Sequence, residues 1–293
     1  MAGSRNILTR FLSSRHKRRW LQDYIAYKRE KRYLKAHGES ASDIIELPGQ
    51  RFVYSRRLGL NLLLDPESMV DRYLLDYGAW ERLQIALVEK AIREFSRLSD
   101  VVFLDVGAYW GLYSLLADRF GAHQVIAFEP DPHNFAQLQA QLLINGVASR
   151  VKVHNVGVHD SSTSGYFRLG ESFEGGNRGC ACVVEEPVSG SIRIDLARID
   201  DMIAVENMRL VLKIDVEGNQ DRALAGMREL VANNLVFMQV EVSDGELESF
   251  SSLADEMGLR TLGRIAGGDW YFSNMPGSEL SWLGDKALEF VPE

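Results

Sequence analysis

The apolar positions of the chain change period repeatedly after residue 100. Val101–Val106 is a continuous apolar run broken only by Asp105 and closed by Gly107, the pattern of a strand buried on both faces of a parallel sheet. Gly111–Phe120 switches to helical spacing, with Leu112, Leu115 and Leu116 facing inward. The alternation continues with a strand at Val125–Phe128, a helix at Pro132–Asn145 with proline in its first turn, and a third strand at Val151–Val158. A fourth strand, Leu210–Val216, precedes a helix through Ala223, Leu224, Met227 and Leu230, and a fifth, Leu235–Val242, precedes a helix from Glu246 to Met257. Leu259–Ile265 and Trp270–Asn274 then flank a Gly-Gly-Asp turn, a hairpin signal. This order predicts a mostly parallel sheet with helices on both faces, closed by a C-terminal antiparallel hairpin.

Upstream, Trp80–Leu98 reads as a helix with stripes at Leu83, Leu87, Ala91, Phe95 and at Ile85, Val88, Ile92. A shorter helical segment starts at Glu67, and two extended runs, Ile44–Leu47 and Leu58–Leu64, flank a Pro48-Gly49 turn. Residues 5–36 carry helical stripes at Ile7, Leu8, Phe11, Leu12, Trp20, Leu21, Tyr24 and Ile25. The expected organisation is a basic amphipathic helical arm (1–42), a lead-in segment with helices (43–99), a core (100–275) carrying a polar, lid-like insert (160–198), and a C-terminal tail (276–293). A polar stretch of that length inside a compact domain reads as a functional loop or a surface hairpin built around Ile192–Leu196.

Charge sharpens this division. Up to His37 there are eleven Lys or Arg against Asp23 and Glu30, a net +9, so that the remainder of a chain of net charge −8 carries −17. The arm is read as a helix packed on the body with a solvated charged side, or, more sharply, as a peripheral contact with anionic lipid or an assembly partner. An acidic body argues against nucleic acid as partner. No run approaches the roughly 18 apolar residues of a membrane span, and no secretory signal is expected. The only cysteines, Cys180 and Cys182, alternate with Ala181 and are not placed to bridge. With six scattered histidines they show no zinc-ligand spacing, so no metal is expected and a reducing cytoplasm fits best.

Three segments carry candidate chemistry. Asp105-Val-Gly107-Ala-Tyr109-Trp-Gly111 ends a strand and opens a helix, where open α/β sheets bind ligands. Its glycines lie four apart after an acid, unlike the dinucleotide G-x-G-x-x-G; Asp105 would repel a pyrophosphate and suits a ligand with a cationic amino-acid part. Gly107 permits a sharp turn and close backbone approach, and Gly111 tight helix–strand contact. Glu129, followed by Pro130, ends the next strand and can accept both hydroxyls of a ribose, the plainer alternative being a charge for the helix N-terminus. Lys213-Ile-Asp215-Val-Glu217-Gly218 ends the fourth strand. If extended, its three charges share one face, where Asp215 or Lys213 could act as base toward a hydroxyl. Glu241 ends the fifth strand beside them, to bind substrate hydroxyls or to pair Lys213.

The segments FLDVGAYWGLYSLLA, VIAFEPDP, LINGV, RIDDM, LVLKIDVEG and VEVS, in this order, resemble the FkbM family of S-adenosylmethionine-dependent methyltransferases, and Trp80-Glu81 resembles its lead-in segment. The resemblance runs from about Met69 to Ser243. It implies the Rossmann-like class I methyltransferase fold with a mostly parallel seven-stranded sheet, S-adenosyl-L-methionine as cofactor, and transfer to a hydroxyl of a sugar, glycolipid or polyketide-like acceptor. Motif by motif it implies that Asp105, Gly107, Tyr109, Gly111, Glu129 and Pro130 hold the cofactor. Asp215, Lys213 and Glu241 would then serve the chemistry, with Glu217 and Glu81 on the acceptor side. Tyr109-Trp110 is bulkier than the smaller or polar residues usual in that stretch. The alternatives are a nicotinamide dehydrogenase, whose glycine pattern is absent, and a catalytically weak module that binds a membrane or protein partner through its basic arm.

Overall fold

A computed structural model describes residues 44–46, 52–169, 181–184, 186–265 and 268–283. The chain forms two compact units, Met1–Glu46 and Leu47–Glu293. In the first, the described part is the short strand β1 (Ile44–Glu46); the expected helical arm lies outside the described residues. So do Cys180, the Pro48-Gly49 turn and the glycines at 175, 176 and 179.

In the second unit, β2 (Val53–Arg57) and β3 (Leu60–Leu64) form an antiparallel hairpin. The expected extended run Leu58–Leu64 is thus the hairpin's turn and second strand; its first, Val53–Arg57, was hidden by alternating polar residues that include two arginines. Helices α1 (Met69–Tyr77) and α2 (Arg82–Phe95) follow. In α2 the buried stripe is Leu87, Val88, Ala91, Ile92 and Phe95, with Gln84 below them. Leu83, expected on that stripe, is 59% exposed because it lies one residue round from Gln84.

The large sheet has seven strands in the order β13-β14-β12-β11-β4-β5-β6. The parallel strands are β4 (Val101–Val106), β5 (Gln124–Phe128), β6 (Val151–His154), β11 (Arg209–Ile214) and β12 (Leu235–Glu241). The hairpin of β13 (Arg260–Arg264) and β14 (Asp269–Ser273) adds antiparallel to β12, as its turn signal predicts. Helices α3 (Leu112–Phe120), α4 (Pro132–Ile144), α5 (Gln220–Ala225), α6 (Arg228–Ala232) and α7 (Leu247–Glu256) cover the faces.

Strand parity divides the core in two. Val101, Phe103, Val211 and Phe237 pack with α2, α3 and the lead-in segment, while Val102, Leu104, Leu212, Met238 and Val240 pack under α5, α6 and α7. All six residues of β4 are buried, which is why the sequence shows no alternation there. Each such apolar side chain contributes about 1.5–3 kcal/mol. The tail's short turn of helix, Gly277–Leu283, adds Leu280 to the first core and sets Trp282 edge-on against Phe95.

Two elements differ from the sequence pattern. Val151–Val158 is not one strand: the chain leaves the large sheet after His154, and β7 (Gly157–Val158) joins a second sheet of order β7-β10-β8-β9. Asn155 makes the break, its side-chain amide donating to the carbonyls of Glu129 (2.7 Å) and Pro130 (3.1 Å). The second sheet is the expected insert, with β8 (Thr163–Arg168), β9 (Cys182–Val184) and β10 (Ser191–Ala197) around Phe167, Ile194 and Leu196. The helix after β11 is split at Gly226. A Cβ there would lie 2.0 Å from the His159 carbonyl oxygen, so this turn is pressed against the insert's base. Asp200, in the turn before β11, accepts the amides of Glu229 and Leu230 at the start of α6.

Candidate functional site at the carboxyl ends of the strands

Register brings one polar row onto the face that α2 and α3 cover. Asp105 of β4 pairs with Lys213 of β11, Lys213 with Gln239 of β12, and Gln239 with Tyr271 of β14. The row one step down that face begins Phe103, Val211, Phe237, so polarity starts abruptly at the carboxyl end of the sheet. Lys213 is buried, its Nζ donating to Asp215 Oδ2 at 2.7 Å and lying 4.8 Å from the Tyr113 ring centroid. Asp105 accepts the Ser114 hydroxyl at 2.6 Å. Tyr113 donates to Glu81 at 2.7 Å, and Asp269 accepts from Gln84 (2.8 Å) and Gln239 (2.9 Å).

Six carboxylates, those of Glu81, Asp105, Asp215, Glu217, Glu241 and Asp269, thus act on one ammonium. Burial would lower the Lys213 pKa, but Asp215, Glu81 and Asp105 outweigh it and hold the ammonium above its ordinary value. Lys213 therefore has no lone pair for a proton at neutral pH, which corrects its reading as a base. Burial pushes Asp105, Glu81 and Asp269 above the usual carboxylate range despite Lys213. Glu217 is pushed up to about 7 by burial and by Asp215. Glu241, at the exposed rim, is pushed up to about 8 by the Asp215 charge, by burial and by Asp269. Both Asp215 and Lys213 act on its charge, Asp215 the more strongly. Asp215, Glu217, Gln220, Glu241, Ser243 and Glu246 line an open cleft of about 140 Å³. Asn219, at its edge, donates to the Val183 carbonyl of β9 (3.4 Å), so the insert reaches the cleft.

The turn after β4 places left-handed residues at alternate positions: Gly107 (φ 81°), Tyr109 (φ 53°) and Gly111 (φ 89°). A Cβ on Gly107 would lie 1.8 Å from the Asp215 carbonyl oxygen, so the chain's own backbone takes the room expected for a ligand there. A Cβ on Gly111 would meet Leu138 of α4 at 2.2 Å, making that contact one between helices. Tyr109 presents its backbone N–H to Glu129 Oε2 at 2.8 Å, and the Asp131 N–H reaches Oε1 at 2.9 Å. Glu129 is pushed up to about 8, burial outweighing those hydrogen bonds. The helix cap is Asp131, which accepts from His133 and Asn134 at the start of α4; Glu129 is thereby left to its own pocket.

A model of the FkbM methyltransferase domain matches residues 105–263, more than half of the chain, including the strand ends that carry Asp105, Glu129, Lys213, Asp215 and Glu241. The chain belongs to the FkbM methyltransferase family. Solved structures similar to it include an FkbM methyltransferase from Methylobacillus flagellatus, at 19% identity over 69% of this chain and TM-score 0.42. This chain spans about half of that one, 52%. A SAM-dependent methyltransferase from Agrobacterium tumefaciens is similar at 11% identity over 78% of this chain and 72% of its own, TM-score 0.42. TYW2 of M. jannaschii, solved with AdoMet, is similar at 11% identity over 78% and 86%, TM-score 0.38. No curated protein matches the sequence.

Within this chain, the residues singled out from the sequence fall into two groups along one edge of the sheet. Asp105, Lys213, Asp215, Glu217, Glu241 and Glu81 form the acidic cluster, and Gly107, Tyr109, Gly111, Glu129 and Pro130 form the adjoining turns. Glu217 reaches the cleft by a different route from the one parity implies: β11 stops at Ile214, and Glu217, left-handed (φ 41°) and exposed, stands on the cleft wall. Tyr113, Gln239, Asp269 and Tyr271 were missed. Each looks like an ordinary core or turn residue in the sequence, and only register reveals the row. Among the described residues no His, Cys, Asp and Glu cluster is arranged to hold a metal ion, and no helix is long and apolar enough to cross a membrane.

Proposed function

We propose that the chain is an S-adenosylmethionine-dependent O-methyltransferase acting on a hydroxyl of a sugar, glycolipid or polyketide-like acceptor. The observation that carries this reading is the surplus of carboxylates at the strand ends, beside a buried Glu129 that is only partly satisfied. A carboxylate has about four lone-pair sites. The two close donors to Glu129 are backbone amides, and burial still raises its pKa to about 8. A ribose diol supplies the kind of donors that would bring it down, and a cationic sulfonium and ammonium suit the acidic cluster. Glu129 would hold the ribose, and Asp105 with the 107–111 turn the amino-acid part.

The cofactor supplies a methyl group already activated on sulfur, so the protein's share is positioning and proton removal. Lys213, kept protonated, holds Asp215 by its 2.7 Å hydrogen bond. Asp215 and Glu241 form a carboxyl pair facing the cleft, and a Glu241 pKa near 8 suits a base working at neutral pH. The pair takes the acceptor hydroxyl proton, while Glu217 and Glu81 flank the acceptor.

The test separates binding from rate. Glu129→Ala should weaken S-adenosylhomocysteine binding by about 1.5–3 kcal/mol in calorimetry, the loss of hydrogen bonds to a charged group. Asp215→Asn should leave that affinity nearly intact and slow transfer by about 10²–10⁴-fold, the range for a missing general base. The acceptor is found by screening glycan and lipid extracts with methyl-labelled cofactor. Label recovered on nitrogen or in RNA would overturn the O-methyl reading.

A further inference from the structure

Asp71, at the start of α1 and fully buried, stands outside the site described so far. Its Oδ1 accepts the Trp110 indole N–H at 2.6 Å, the Ser68 hydroxyl at 3.3 Å and the Tyr109 hydroxyl at 3.4 Å. Its Oδ2 accepts the Asp65 amide at 2.8 Å and the Gln137 side-chain amide at 3.1 Å. The Ser68 and Tyr109 hydroxyls are themselves 2.6 Å apart. One carboxylate therefore gathers the lead-in segment, the turn after β4 and helix α4. Hydrogen bonds of this kind run stronger to a charged acceptor.

The turn needs such a hold. Of its three left-handed residues, two are glycines, which adopt that conformation freely. The third is a tyrosine, and a bulky L-residue stays there only when its surroundings over-determine it. The two ends of Tyr109 are tied to different things: its hydroxyl to Ser68 and Asp71, its backbone N–H to Glu129. Trp110, fully buried and tied to the same carboxylate oxygen, prevents the neighbouring peptide from rotating. The Tyr-Trp pair, bulkier than is usual in the family, thus has a structural partner thirty-eight and thirty-nine residues upstream.

We infer that Asp71 is a positioning residue for the cofactor turn: through Tyr109 and Trp110 it fixes the peptide that donates to Glu129, and so the pocket in which Glu129 meets its ligand. This rests on the cofactor reading above. It assigns the lead-in segment a part in binding although none of that segment's residues need touch the ligand.

The test uses Asp71→Asn, which keeps shape but turns one acceptor into a donor facing donors, and Tyr109→Phe, which removes only the hydroxyl link and preserves the core if Asp71→Asn fails to fold. Amide hydrogen exchange over 106–112 is read first, without ligand. In either variant the Tyr109 amide should exchange at least about tenfold faster, the equivalent of one lost hydrogen bond to a charged group. S-adenosylhomocysteine affinity should fall by about tenfold or more in both, and in Asp71→Asn turnover at saturating cofactor should stay within about twofold of the wild type, because ground-state positioning moves the binding constant and not the chemical step. The double variant should lose no more than the worse single one, since both cut one link. Unchanged exchange in both folded variants overturns the clamp. Faster exchange with unchanged affinity overturns its role in binding. A wild type that does not bind S-adenosylhomocysteine at all overturns the cofactor reading, and this inference with it.

Discussion

Replacing Lys213 by Met removes the one cation from the buried end of the polar row while nearly preserving its volume. The ammonium is 7% exposed and lies 2.7 Å from Asp215, with Asp105 its register partner on β4. Removing one member of such a group leaves buried carboxylates uncompensated, at a cost of about 3–5 kcal/mol. That is a large fraction of the stability of a domain, commonly about 5–15 kcal/mol. Part of the loss is recoverable by protonation. Asp105 already titrates above its ordinary range, and without Lys213 its carboxyl moves higher still. As the pH falls, the folded variant takes up a proton before its unfolded state does, regaining about 1.4 kcal/mol per pH unit while that difference lasts.

Urea unfolding followed by tryptophan fluorescence measures this directly. Lys213→Met should lower the unfolding free energy by about 3–5 kcal/mol at pH 7, with the m-value unchanged, and by less at lower pH. Combining it with Asp105→Asn should restore at least about half of the loss, since the partners are in contact and their effects are not additive. A loss below about 1 kcal/mol at pH 7, or one independent of pH, would refute the description of Lys213 as a cation holding buried acids together.

Two further outcomes follow from the same geometry. Gly107→Ala and Gly218→Ala both force a side chain onto a left-handed residue, but only at Gly107 does the new Cβ meet backbone, 1.8 Å from the Asp215 oxygen, whereas Gly218 opens onto free space. Gly218→Ala should cost about 1 kcal/mol and Gly107→Ala several times more or prevent folding; equal melting temperatures for the two would refute this. The ligand-free protein should also lose stability from pH 7 to 9. Glu129 and Glu241, near 8, and Glu217, near 7, keep protons in the folded state that the unfolded chain has already released. Buried Glu129 contributes up to about 1.4 kcal/mol of loss per pH unit while it titrates, and Glu217 and Glu241, exposed and screened by solvent, contribute less. A melting temperature that rises over that window, read by scanning fluorimetry, would contradict the assignment.

The succession of strands and helices and the closing hairpin were legible because their cause is local: buried strands must be apolar runs, and glycine-rich turns must join antiparallel neighbours. The ends of β4, β5, β11 and β12 were legible for the same reason, since an acid closing an apolar run has few places to go. Val151–Val158 defeated the pattern because its alternation continues smoothly while the backbone changes sheets at Asn155, a break made by hydrogen bonds to Glu129 and Pro130 on another strand. Gln239 and Asp269 were illegible because their significance lies in register with Lys213 and in Gln84 of α2, neither of which a single strand reveals.

The backbone itself carries a signal that side-chain chemistry alone does not. Among the described residues, five that are not glycine have positive φ: Leu58, Glu81, Tyr109, Asn207 and Glu217. Three of these border the candidate site, one on each approach to it: Glu81 ahead of α2, Tyr109 after β4 and Glu217 after β11. A left-handed glutamate or tyrosine costs about 1–3 kcal/mol and persists only where neighbours hold it. Each of the three has such a hold, Glu81 through Tyr113, Tyr109 through Glu129 and Ser68, and Glu217 through its place on the wall of the acidic cleft. Strain of this kind does not improve folding, since glycine would serve each turn more cheaply. What glycine cannot supply is a carboxylate or a phenol at the turn, and each of the three has a part in the proposed site: the two carboxylates flank the acceptor, and the phenol ties down the cofactor turn.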